Sequence, residues 1–373
     1  NGDPPILCHC SAGVGRTGTF LAVDYLIEQS AAEGAIDVVK CITKFRQQRT
    51  DMVQNVDQFD YVYKSLMEYT LVGDTAIPCP EFAAFFRKLK NSENKENSTI
   101  VQQFGALNRF YKEESPIEVH IGLSNENKGK NRSTDILPVN HKRILMVTPA
   151  EGRNSYINAV VVSNTERQYA YIATQAPLVD TVVDLWRAAF DFNCCVIIML
   201  CPIQSLQSEE MYFPDEKESK LEFPPFEIEC TSDNVEEDSV FIPRGLTLRK
   251  DSIERDILHM AVTSELSEMP MDHVLELFLG LHEATKDWQQ KKKITSPIMV
   301  HCINGAEWTG VYLAFCAVID QIESDQEIDI YHAVAMGRLS RQQFVESQEQ
   351  YDMLFELISL YMSQYSPFAE SFQ

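Results

Sequence analysis

Sliding the chain against itself brings it into register at a lag of 292 residues, and that register holds without a gap from residue 9 to residue 69. Cys302 then falls on Cys10, Asp329 on Asp37, Gln350 on Gln58 and Tyr361 on Tyr69. A period this long describes two copies of one domain rather than a solenoid of small units. Each full copy would carry roughly two hundred residues ahead of its cysteine, whereas nine precede Cys10. The expectation is a first copy represented by its C-terminal part, residues 1–70, a linker over 71–80, and a complete second copy over 81–373. Within the linker, Leu-Val-Gly-Asp-Thr-Ala-Ile-Pro-Cys-Pro reads as connecting chain, Glu81 to Lys90 as an amphipathic helix, and Asn91 to Ser98 as a polar loop.

The best-preserved part of the first copy is His-Cys-Ser-Ala-Gly-Val-Gly-Arg-Thr-Gly, residues 9–18. Ile6, Leu7 and Cys8 ahead of it suit a buried strand, and Phe20, Leu21, Val23, Leu26 and Ile27 behind it follow helical spacing. Residues 10–17 are therefore predicted to turn from strand to helix. The first N–H groups of a helix lack intrahelical acceptors and, with the helix dipole, attract an anion. Ser11, Ala12, Gly13, Val14, Gly15 and Arg16 would form the cradle, the glycines letting successive N–H groups face inward. Arg16 adds a planar fork for two phosphate oxygens. Cys10, ringed by these donors, is predicted to be a thiolate and a nucleophile toward phosphorus. Thr17 is placed to bond the sulfur as it leaves, and His9 to orient the loop.

Other chemistries fit the same letters less well. Gly13-x-Gly15-x-x-Gly18, with Asp37 about 20 residues on, matches a dinucleotide fingerprint; the second copy does not keep that glycine spacing. Cys8-His9-Cys10 has no partner pair at metal-finger spacing, so no metal and no cofactor is expected. A net charge of −23, from 32 basic and 55 acidic residues, disfavours nucleic acid and anionic lipid as partners. The acidic run Glu236-Glu237-Asp238 reads as a solvated loop. Ten cysteines without a regular framework suit a reducing compartment. No apolar run approaches about 18 residues.

From His9 to Gly18 the sequence resembles the signature of the protein tyrosine phosphatases, His-Cys, five residues, Arg, then Ser or Thr. Downstream, Arg46, Gln47, Arg49, Met52, Val53, Gln54 and Gln58 look like that family's glutamine loop. The resemblance implies that Gln54 and Gln58 position the water that hydrolyses a phosphocysteine. It continues through the second copy at Lys130-Asn131-Arg132, Ser155-Tyr156-Ile157-Asn158-Ala159, Gln175-Ala176-Pro177-Leu178, Asp184-Leu185-Trp186-Arg187 and Tyr212-Phe213-Pro214. The implied fold is α/β, a twisted mixed central sheet flanked by helices, one copy partial and one complete. Cys194 to Leu200, a continuous apolar run, would be a central strand buried on both faces. Paired copies look like the cytoplasmic portion of a single-pass plasma-membrane receptor phosphatase, its membrane span lying before residue 1. Phosphotyrosine proteins would be its substrates, and intramolecular or dimeric domain contacts are further candidates.

The second copy departs from that pattern at several functional positions. Trp308 holds the place of Arg16, with Glu307 beside it. By resemblance Leu266 stands where the general-acid aspartate belongs, with Glu265 and Glu268 as alternatives for that role, Ser133 where a tyrosine would stack on the substrate ring, and Glu346 where the first copy has Gln54. Cys302 remains, as either a buried structural cysteine or a redox-sensitive thiol. The second copy is expected to be a pseudophosphatase, its cleft plugged by Trp308.

Overall fold

The computed structural model describes residues 4–90, 98–111, 118–164, 167–233 and 239–367. Most of the expected 91–98 loop, and the acidic run at 236–238, lie outside the described residues. The chain divides into two compact units, residues 1–75 with 108–110, and residues 76–107 with 111–373.

The first unit is built from α1 (Gly15–Glu33), α2 (Val38–Gln48) and α3 (Val56–Val72). Gly34 ends α1 in the left-handed conformation. The Asp37 carboxylate accepts the Lys40 N–H and caps α2, and the Asn55 side chain accepts the Gln58 N–H and caps α3. Asp37, which a dinucleotide site would set on a ribose, is thus spent on a helix end. Ala22, Leu26, Val38, Cys41, Ile42, Val62 and Leu66 form the core between the helices; burying each leucine contributes about 1.5–3 kcal/mol.

The strand expected at Ile6 to Cys8 does not form. Ile6 and Leu7 are 92% and 89% exposed, and no residue of the segment is in a strand. A strand needs a neighbour to take its N–H and C=O groups, and the first unit has no strand among its described residues.

The second unit opens with β1 (Ile77–Pro78), α4 (Cys79–Lys90), α5 (Thr99–Phe110), whose last three residues are grouped with the first unit, and the short α6 (His120–Leu123). The expected linker is therefore shorter than 71–80. Leu71 and Val72 remain in α3, and Ile77–Pro78 pairs antiparallel with β10 (Glu327–Ile328). The helix expected from Glu81 begins two residues earlier, because a proline within the first turn loses no intrahelical hydrogen bond.

The remaining elements are β2 (Ala159–Val162), β3 (Tyr171–Gln175), α7 (Val182–Asp191), β4 (Val196–Met199), β5 (Lys220–Phe223), β6 (Phe226–Asp233), β7 (Phe241–Lys250) and β8 (Ile253–Val262). They are followed by α8 (Met271–Lys292), β9 (Ile298–Cys302), α9 (Glu307–Asp325), α10 (Ile330–Arg338) and α11 (Gln348–Gln364). Eight strands form one mixed sheet in the order β2-β3-β9-β4-β8-β7-β6-β5. The inner strands β3, β9, β4 and β8 run parallel, and antiparallel strands extend both sides. Helices flank this sheet, as the fold class predicts. Every residue of β4 is buried, as its continuous apolar run requires. No described helix is long and apolar enough to cross a membrane.

The 292-residue register reappears in the folded chain. α9 and α11 have the lengths and bounds of α1 and α3 displaced by that lag, 19 and 17 residues respectively. β9 occupies the register of the unpaired Ile6 to Cys10, and there it has a parallel partner on each side. The same kind of sequence is a strand in one setting and coil in the other because only one setting supplies neighbours.

Candidate functional site

In the first unit α1 begins at Gly15, so the loop from Cys10 ends on the helix N-terminus as the spacing predicts. Gly13 takes φ +70°, a conformation open to glycine without strain, and its N–H donates to Cys10 Sγ at 3.2 Å. Thr17, through its hydroxyl and then its backbone N–H, lowers the Cys10 pKa from 9.0 to about 6. Weak burial opposes the shift, and the N–H groups of Gly13 and Val14 add to it. Thr17 Oγ1 is buried and meets no partner at full hydrogen-bond geometry among the described residues, which leaves its hydroxyl free to serve the sulfur. Cys10 is consequently a thiolate at neutral pH.

The segment expected to act as a glutamine loop packs against this turn. Arg49 Nη2 donates to Ala12 O at 3.1 Å, and the Val53 N–H to Val14 O at 3.2 Å. Arg46 holds the far side, Nε to Met52 O at 2.9 Å and Nη2 to Val53 O at 2.6 Å. This clamp keeps buried, β-branched Val53 at φ +59°, a strained conformation; its counterpart Val345 has φ +52° and the equivalent Arg338 clamp. Gln58 Oε1 accepts the Gln54 N–H at 2.7 Å. A Cβ at Gly15 would lie 2.8 Å from Gln58 Nε2 and 2.9 Å from Gln54 Oε1, so a larger residue there would push both amides back from the loop.

Arg16 is exposed at the first turn of α1 and lines a cleft of about 490 Å³ with Thr19, Phe20, Asn55, Gln58 and Tyr61. Cys10 does not line that cleft. The structure thus groups Cys10 with Thr17 and the loop amides, and Arg16 with Gln58. His9 does not orient the loop here. It is exposed and makes no hydrogen bond among the described residues, because the coil that carries it lies in no sheet.

The second unit shows what a sheet does for that histidine. His301, at the end of β9, is buried with Nε2 2.8 Å from Tyr212 Oη, and the same hydroxyl lies 2.7 Å from His259 Nε2. Burial drives the His301 pKa down to about 3 and that of His259 well below its ordinary value, so both rings are neutral. Tyr212 is held in turn at its carbonyl by Trp186 Nε1–H, at 2.8 Å.

The landmarks quoted for the second copy form a polar scaffold. Buried Asp184 pairs with Lys130 (3.0 Å), Arg153 (3.1 Å) and Arg187 (2.8 Å). Asn131 Oδ1 accepts from Tyr156 Oη and Asn158 Nδ2. Arg132 pairs with Glu210 at 2.8 Å and donates to the carbonyls of Ala176 and Pro177.

Cys302 is buried at the end of β9. The neighbouring Cys201 has its pKa pushed up first by burial and then by Cys302 and Glu265, with Arg132 opposing. Leu266 is buried in a single 3-10 turn, while Glu265 beside it accepts the Ser205 hydroxyl at 2.5 Å. Ser133 Oγ accepts the Asp135 N–H at 3.0 Å, and Glu346 is exposed. Trp308 sits half-buried in the first turn of α9, and Glu307 beside it is exposed.

One residue of this loop escaped the sequence reading. Asn304 Oδ1 accepts the N–H groups of Ala306 and Glu307, both at 3.0 Å, and lies 3.3 Å from Cys302 Sγ, which donates to it. The register sets Asn304 against Ala12, and that replacement of an inert side chain by an acceptor was the available signal.

Receptor-type tyrosine-protein phosphatase U of Gallus gallus is 28% identical over 365 residues, 96% of this chain and 25% of the relative. The chain thus spans about a quarter of the length of that curated relative. A family model described as Protein-tyrosine phosphatase matches residues 1–68 and 127–359. With most of its length covered by that match, the chain belongs to the protein-tyrosine phosphatase family.

Proposed function

We propose that the chain is a cytoplasmic part of a receptor-type tyrosine phosphatase with two copies of the phosphatase fold, the first bearing the hydrolytic loop and the second serving a non-catalytic, regulatory role. The Cys10 thiolate attacks the phosphorus of phosphotyrosine; the S–P bond forms as the P–O bond to the ring breaks, and the ring oxygen takes a proton from a general acid. The loop amides stabilise the equatorial oxygens, joined by Arg16 once its side chain turns toward Cys10 from the cleft it lines. Water held by Gln54 and Gln58 then attacks phosphorus, inorganic phosphate departs, and Thr17 stabilises the released thiolate. The observation that carries this reading is the Cys10 sulfur, accepting the Gly13 N–H and held ionised near neutral pH beside Thr17. The second unit lacks the guanidinium at Trp308 and retains its cysteine only as a buried group.

A second reading treats the whole chain as an interaction module. The exposure of Ile6 and Leu7 favours it, because a nucleophile on an unpaired segment is poorly positioned. Acid-quench trapping with a phosphorus-labelled phosphotyrosine peptide separates the two. Label is expected on Cys10, slowly, absent from Cys10→Ser and unchanged in Cys302→Ser. Label on Cys302 would overturn the assignment of roles, and a chain that takes no label at all would leave the module reading standing.

A further inference from the structure

We propose that Asn304 is a built-in occupant of the second unit's anion cradle, its carboxamide oxygen holding the place of a phosphate oxygen. The inference deepens the non-catalytic reading of this unit and rests on it. Three donors converge on Asn304 Oδ1: the N–H groups of Ala306 and Glu307, and the thiol of Cys302. An amide nitrogen could accept none of them, so the oxygen is the atom in that position.

The backbone around this oxygen is the one that the first unit uses without it. Gly305 has φ +73° where Gly13 has +70°. Ala306 has φ −132°, ψ −52° where Val14 has −132°, −51°. The curl that points N–H groups inward is therefore the same in both loops, but the contents differ. In the first loop Ala12 has no polar atom to offer, and the sulfur itself accepts a loop N–H. In the second loop the sulfur is a donor and the side chain two residues on takes the amides. An oxyanion entering this loop would have to displace an acceptor tethered to the same loop, which is present at very high effective concentration.

Trp308 is then only half of what excludes phosphate. Restoring arginine at position 308 leaves the amides occupied, so that change alone gives no anion site. Removing the carboxamide as well empties the cradle and lets an external oxyanion fill it.

The test is hydrogen exchange of the 303–308 amides in the full chain, with and without tungstate, a phosphate-like oxyanion. In the native protein and in Trp308→Arg these amides should exchange slowly and ignore tungstate. In Trp308→Arg with Asn304→Ala they should exchange about tenfold faster or more and regain protection when tungstate is added. Asn304→Asp, whose carboxylate accepts the same N–H groups, should keep the protection and remain indifferent to the anion. Tungstate protection in Trp308→Arg alone would overturn the proposal, as would a folded double variant that tungstate does not protect. If the double variant unfolds, seen as fast exchange throughout the sheet, the response of Trp308→Arg decides the matter. Phosphate label on Cys302 would sink the non-catalytic reading without touching these exchange rates, so the two failures are distinguishable.

Discussion

The ionisation of Cys10 can be read directly from its alkylation rate. With a pKa of about 6 the sulfur is about 90% thiolate at pH 7, against about 1% for a thiol at the ordinary 9.0. The stabilised thiolate is a weaker nucleophile: a Brønsted slope of about 0.4–0.5 over three units costs roughly 20-fold. The net gain over an ordinary cysteine is only about fourfold at pH 7, but about 40-fold at pH 5.5, where the ordinary thiol is almost wholly protonated. Low pH is therefore the condition that tests the geometry. Iodoacetamide labelling of the Cys10 peptide, followed by mass spectrometry from pH 4.5 to 9.5, should rise with a midpoint near 6. Thr17 supplies the largest lowering influence, so Thr17→Ala should move that midpoint up by on the order of one unit. A native midpoint above about 8, or a Thr17→Ala profile superimposable on the native one, would refute the argument that this loop ionises its sulfur.

Two further outcomes concern the second unit. Asp184→Ala strands Lys130, Arg153 and Arg187 around a missing carboxylate and should cost about 3–5 kcal/mol in urea unfolding; a loss below about 1 kcal/mol would mean the cluster is worth no more than a surface pair. His282 Nε2 lies 3.2 Å from Asp320 Oδ1, and although burial pulls its pKa down, Cys316 and Asp320 raise it from 6.5 to about 10. Because the folded value is the higher one, its contribution to stability is complete below pH 6.5 and is lost as pH climbs toward 10. The melting temperature should therefore fall more steeply across that window in the native protein than in His282→Gln; parallel curves would contradict the assignment.

How much of this was legible in the sequence depends on whether the physics was local. The turn from Cys10 into α1 was, because glycines and a helix start act within a few residues. The contact of Arg49 with the loop was legible only as a resemblance, since it joins residues 37 positions apart. Ile6 to Cys8 misled, because an apolar run reports a wish for burial and says nothing of whether partners are present. The linker also misled: Ile77-Pro78 has the letters of a connection, and its pairing with Glu327–Ile328 is set by chain 250 residues away. Asn304 was invisible as a functional residue for a different reason. An asparagine in a turn is ordinary, and its meaning appears only once three donors are seen to share its oxygen.

The ribbon formed by Ile77–Pro78 and Glu327–Ile328 has a mechanical consequence. It is two residues wide, continued by the Cys79 N–H to Gln326 O at 3.0 Å. Tension arriving along the chain through residues 73–76 would meet this clip first. An antiparallel pair pulled from its end opens one bond at a time at low force, whereas β9, with parallel neighbours on both sides, resists until many bonds shear together. Under such a pull the ribbon would be expected to open before the strand that carries Cys302.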